Sequence, residues 1–93
     1  MKIDIDDEFF DLLGEIIHFI AKDKPSAARK FKKDLIFSIR KDLKFPFNFK
    51  NSIYFVGDSY RDYVFKGYTI SYQIIENEKT IRVLGIIKNK YSY

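Results

Sequence analysis

Two stretches near the end of this chain alternate apolar and polar residues so regularly that they fix most of what it can become. Tyr68–Ile75 and Thr80–Ile87 each run with a period of two, and Asn77-Glu78 sits between them. That period is the signature of paired β-strands with one side in a core. A turn centred between Asn77 and Glu78 sets Ile75 against Thr80, Gln73 against Arg82, Ser71 against Leu84 and Thr69 against Ile86. Tyr68, Ile70, Tyr72, Ile74, Ile81, Val83, Gly85 and Ile87 then share a nearly wholly apolar face. The other face carries Thr69, Ser71, Gln73, Thr80, Arg82, Leu84, Ile86 and Lys88, and is expected to stay open to solvent. A one-residue slip would bury Arg82, so the register is testable.

An apolar sheet face needs a cover, and the first half of the chain supplies one. Lys2-Ile3-Asp4-Ile5 reads as a short strand. Asp6 and Asp7 offer side-chain oxygens for capping a helix over about Glu8–Lys22, with apolar residues at Phe9, Leu13, Ile16 and Ile20. Asp23-Lys24-Pro25 breaks it, and Pro25 suits the first turn of a second helix running to about Leu43. Ala28, Phe31, Leu35 and Ile39 form the second helix's stripe. Phe45-Pro46-Phe47 ends it. Further strands are expected at Ser52–Val56 and Arg61–Phe65, with a turn at Lys66-Gly67. The predicted fold is α+β in the order β-α-α-β-β-β-β: an antiparallel helical hairpin on one face of a small, mainly antiparallel twisted sheet. Residues 1–93 are expected to form one domain.

Composition narrows the chemistry. The chain has no cysteine and one histidine, His18, which removes thiolate zinc sites, cysteine nucleophiles and multi-histidine metal sites. No metal or cofactor is expected. The acidic residues Asp4, Asp6, Asp7 and Glu8 are consecutive enough to point apart, and helix capping explains them better than a metal site. No apolar run approaches the length of a membrane span and the first residues do not read as a signal peptide, so the cytoplasm is the expected compartment and no membrane partner is expected. The net charge of +4 is segregated. Residues 1–23 carry two Lys against seven Asp/Glu, a net −5; residues 24–50 carry nine Lys/Arg against two Asp, a net +7; the remainder is +2. A basic second third points to a polyanion or an acidic protein as partner.

The order of these pieces resembles the RelE/ParE superfamily of toxins from bacterial type II toxin–antitoxin modules. The resemblance rests on Phe19-Ile20-Ala21-Lys22-Asp23, on Lys24-Pro25-Ser26-Ala27-Ala28-Arg29-Lys30-Phe31, on Tyr60-Arg61-Asp62 leading into Phe65–Ile74, and on Ile81–Ile86 before a basic, aromatic tail. It implies a growth-inhibiting toxin neutralised by a cognate antitoxin. Its target would be DNA gyrase in the ParE-like mode, or ribosome-bound mRNA in the RelE-like mode.

Metal-independent RNA cleavage needs a base for the 2′-OH, cations for the phosphorane and an acid for the leaving oxygen. The resemblance implies Arg61, Arg82, Lys90, Tyr91 and Tyr93 as the catalytic set if the chain is RelE-like. Two positions depart from that pattern: Tyr63 stands where a lysine is expected, and Thr69 where an arginine is expected. These departures and the Pro-Ser-Ala-Ala hairpin favour the ParE-like mode. Arg61, Arg82, Lys88 and Lys90 are then candidates for contacting the target, and Lys30, Lys33 and Arg40 for contacting acidic side chains of the antitoxin. The RelE-like nuclease and a non-toxic binding domain remain open as alternatives.

Overall fold

The computed structural model describes residues 1–90. Strand β1 (Lys2–Ile5) leads into helices α1 (Asp7–Asp23) and α2 (Pro25–Asp42), then into strands β2 (Tyr60–Phe65), β3 (Tyr68–Ile75) and β4 (Thr80–Lys88). Short 3-10 turns lie at Pro46–Asn48 and Glu76–Glu78. The four strands form one sheet in the order β1-β4-β3-β2. β1 runs parallel to β4 and the other pairs are antiparallel. A parallel pair needs a long crossover, and the α1–α2 hairpin is that crossover.

The helices form where the apolar stripes and the proline break direct them. Pro25 occupies the start of α2, where its missing N–H costs nothing. Phe9, Leu13, Leu35, Ile39 and Leu43 meet Ile70, Tyr72, Ile74, Ile81, Val83 and Ile86 in one core. Each such side chain contributes about 1.5–3 kcal/mol when fully buried. Asp6 takes the N-cap position of α1 without capping it through its side chain; its carboxylate lies instead 3.9 Å from the Arg82 guanidinium. Asp7 and Glu8 in the first turn still face the positive end of the helix dipole.

The α+β class and the helical hairpin on one sheet face are as the sequence predicts, but the sheet has one strand fewer. Ser52–Val56 is a loop, and only Asn51 bridges Arg61. Side chains have taken its amides. Ser52 Oγ accepts from the N–H groups of Tyr54 and Phe55 at 3.0 and 3.3 Å, and Asp62 Oδ2 accepts from Ile53 N–H at 3.0 Å. Donors used this way cannot build a ladder.

The register also departs at one point. Ile75↔Thr80 and Gln73↔Arg82 pair as expected, and Arg82 is half-exposed. A bulge at Leu84 then sets Ser71 against Gly85 and Ile70 against Ile86. Ile86 is consequently buried, whereas Ile87 is 48 % exposed. Unbroken alternation would have offered Gly85, which has no side chain, to the core; the extra residue brings Ile86 there. Lys88 shifts with it, pairing with Tyr68 on the helix-covered side rather than on the open face.

A candidate target-contact surface

Arg61 lies in β2 beside Tyr72, on the face that the helices cover. It reaches past the sheet edge to gather a loop. Its Nε donates to the Asp58 carbonyl at 2.8 Å, and one terminal nitrogen donates to the carbonyls of Phe49 at 2.8 Å and Phe47 at 3.4 Å. The guanidinium also sits 5.6 Å from the centre of the Phe47 ring. One side chain therefore holds both arms of the segment from Phe47 to Asp58.

Next along β2, Asp62 faces the open side and completes the tether. Its Oδ1 accepts from Ser71 Oγ at 2.7 Å while Oδ2 holds Ile53 N–H. Asn51 Nδ2 donates to Asp58 Oδ1 at 2.8 Å, and Phe55 stacks on Tyr60 with ring centres 5.1 Å apart. The loop so fixed projects apolar side chains into solvent, with Ile53 82 % and Val56 98 % exposed. A depression of about 310 Å³ lies between the loop and the sheet, lined in part by Tyr54, Phe55, Thr69, Ser71 and Ile87. This loop closes one end of the face expected to be open, which is why Thr69 and Ser71 are buried. Sequence reading missed the loop because Ile53–Val56 has strand-like composition. The available signal was Ser52, a residue that turns the amides two and three places on toward itself.

Arg82 stands in the middle of the open face between Asp4 and Gln73. Its exposed pair with Asp6 at 3.9 Å is weak, so the guanidinium remains available to a ligand. Lys88 lines a separate depression with Glu15, Ile16, Phe19 and Tyr68. Lys90 is exposed at the end of the described chain. Tyr91 and Tyr93 lie outside the described residues. The structure does not bring Arg61 and Arg82 together, since they occupy opposite faces, and Lys88 is turned from Arg82 by the bulge.

The two departures from the nuclease pattern have structural partners. Tyr63 O–H donates to Asp42 Oδ2 at 2.5 Å, joining β2 to the end of α2. Burial, and then the Asp42 carboxylate, push the Tyr63 phenol up to about 12. Thr69 Oγ1 bonds Asn89 Oδ1 at 2.5 Å, next to the hairpin turn. Tyr72 O–H donates to the Pro46 carbonyl at 2.6 Å, and burial raises its phenol above the ordinary range. Both phenols therefore stay protonated at neutral pH and neither is a ready base. Among the described residues, no group of three or more His, Asp or Glu side chains is placed to hold a metal ion, and no helix is long and apolar enough to cross a membrane.

The basic residues of the second third lie on the outer side of α2. Lys30 bonds Asp34 at 2.9 Å, and Lys66 approaches the same carboxylate at 3.5 Å. These lysines hold the Asp34 carboxyl below its usual range, the Lys30 hydrogen bond most of all. Lys33 and Arg40 are exposed on the same helix.

Comparison with known proteins gives a consistent family. A family model described as the ParE toxin of the type II toxin–antitoxin system, parDE, matches residues 3–93. Among solved structures, the chromosomal ParDE toxin–antitoxin system from P. aeruginosa contains a similar chain, with 17% identity, TM-score 0.75 and 97% of each chain covered. The isolated E. coli RelE toxin is similar at 16% identity and TM-score 0.54, over 98% of this chain and 86% of that one. Both likenesses are of fold. No curated protein matches the sequence.

Proposed function

This chain belongs to the ParE toxin family of type II toxin–antitoxin systems, and we propose that within it the protein works in the ParE-like mode, poisoning DNA gyrase rather than cutting RNA. A cognate antitoxin neutralises it. The observation that carries this reading is the separation of the cations. RNA cleavage needs base, acid and phosphate-binding cations converging within hydrogen-bond reach of one phosphate. Here Arg61 is engaged with three carbonyls on one side of the sheet, and Arg82 lies on the other. The buried Tyr63 occupies one position where the nuclease pattern expects a cation, and Thr69, bound to Asn89, the other.

A surface that binds without catalysing has looser demands, and this one meets them. Arg82 offers charge on the open face. Lys88 and Lys90 add exposed charge at the far end of β4, Lys88 on a different side from Arg82, and the Ile53–Val56 loop offers exposed apolar contact. Arg61 acts through the loop it holds. Such a mixture of exposed apolar side chains and flanking cations fits a protein surface better than a bare phosphate backbone.

Induction in bacteria tests the proposal. Trapped gyrase–DNA cleavage complexes, with RNA ends unchanged, are expected. Ribosome-dependent cuts in mRNA, or normal growth with the folded protein abundant, overturn it.

A further inference from the structure

Helix α2 presents a stripe to solvent that the described residues leave uncovered. Arg29, Lys33, Phe37 and Arg40, with Lys44 just past the helix end, recur at three- and four-residue spacing and so share one side. Ala28, Leu35 and Ile39 on the opposite side are buried. All five stripe residues are exposed, Phe37 by 65 %. The acidic residues of α2 do not offset them. Asp34 is held by Lys30 and Lys66, and Asp42 by Tyr63, with Lys41 3.9 Å away. Among the described residues, Arg29, Lys33, Arg40 and Lys44 form no ion pair. Four uncompensated cations thus lie along about 22 Å, the length of about four helical turns. Phe37 sits at the middle, where a shallow depression of about 280 Å³ is lined by Phe37, Arg40, Lys41 and Lys44.

We propose that this stripe docks an acidic amphipathic helix of the cognate antitoxin, an inference that rests on the toxin–antitoxin reading above. Charge selects the sign of the occupant, because like charges in a row repel until a partner of opposite sign covers them. Phe37 selects its class. A duplex backbone laid on the cations leaves that ring in water, whereas a helix with an apolar residue between its carboxylates covers it. The occupant is therefore a helix of about four turns, with Asp or Glu at three- and four-residue spacing around a central apolar side chain.

The test uses the full chain and the purified protein encoded by the adjacent reading frame. Binding is measured at low and high salt, and amide exchange of the complex locates the contact. Lys33→Glu/Arg40→Glu is expected to weaken binding about tenfold or more at low salt and to flatten its salt dependence, each exposed pair being individually modest. Phe37→Ser is expected to weaken it at every salt concentration. Lys50→Glu, an exposed cation elsewhere, serves as the control and is expected to bind as wild type. Protection over residues 29–44 supports the proposal. Wild-type affinity in both stripe variants, with protection elsewhere, overturns the docking site and leaves the antitoxin reading intact. Absence of any complex overturns both. Undiminished antitoxin binding, with loss of binding to a single-stranded 20-nucleotide RNA probe, overturns the proposal in favour of a nucleic-acid surface.

Discussion

Arg61 and Arg82 are placed back to back across one sheet: Arg61 stands beside Tyr72 on the helix-covered face, and Arg82 beside Gln73 on the open one. Their substitutions should therefore fail in different ways. Arg61→Ala removes three bonds to backbone carbonyls and releases the 47–58 segment. A loss of about 2–3 kcal/mol in stability is expected, the scale of hydrogen bonds from a charged donor. Lys at this position restores little, because it lacks the planar fork. Arg82→Ala should alter stability by less than about 0.5 kcal/mol, its ion pair being exposed, while weakening growth inhibition. Urea unfolding and a growth assay on the same variants separate the two. An Arg61→Ala protein with an unchanged midpoint and no toxicity would reassign Arg61 as a direct contact.

The bulge makes a reversed prediction for adjacent residues. Ile86→Ala removes a core side chain and should cost about 2–4 kcal/mol, whereas Ile87→Ala should cost less than about 1 kcal/mol. Continuous alternation assigns those costs the other way round. Denaturant midpoints of the two variants decide it.

Those two isoleucines also mark what the sequence made readable. Periodicity gave the strand pair, its register from Ile75↔Thr80 to Gln73↔Arg82, and the stripes Ala28–Leu35–Ile39 and Phe9–Leu13 that cover it. These are local patterns repeated over many residues. The bulge was not readable, because one inserted residue inverts the faces beyond it without changing composition. Nor was the role of Arg61. Its partners are carbonyls of Phe47, Phe49 and Asp58, and a carbonyl carries no side-chain signature. The loop over Ser52–Val56 failed for a related reason, since its shape depends on Asp62, ten residues on from Ser52.

That dependence is testable. Asp62→Ala removes the acceptor for Ile53 N–H and for Ser71 Oγ. The amide of Ile53 should exchange faster in this variant while the amides of β3 keep their protection. Growth inhibition should fall in proportion if the loop contacts the target. Unchanged exchange at Ile53 would mean that the loop is held by Arg61 and Ser52 alone.

The turn between β2 and β3 sets a backbone test. Lys66 and Gly67 both have positive φ, 46° and 83°. Two such residues make the tight hairpin whose twist matches its strands. Gly67→Ala should cost about 1 kcal/mol, since a Cβ is disfavoured there. Lys66→Gly should be close to neutral, because relief of φ strain is offset by loss of the Lys66–Asp34 approach and by greater unfolded-state entropy. Thermal midpoints of the two variants check both.

Alkaline stability reports on the junction between β2 and α2. Tyr63 ionises near 10 when unfolded and is pushed up to about 12 in the fold, by burial first and by Asp42 second. Its contribution is fully present below pH 10. As pH rises toward 12 the unfolded chain releases this proton before the folded one does, so stability falls with pH across that window. Tyr72, raised in the same direction, adds to the fall. Tyr63→Phe leaves Asp42 without its 2.5 Å donor and should cost about 1 kcal/mol at pH 8. The same variant has lost one of the two phenols that the fold raises, so its stability should decline less steeply between pH 10 and 12. Chemical unfolding at pH 8 and again at pH 11 measures both effects. Parallel declines in the wild-type and variant proteins would show that the Tyr63 phenol titrates normally and that the Asp42 bond does not hold its proton.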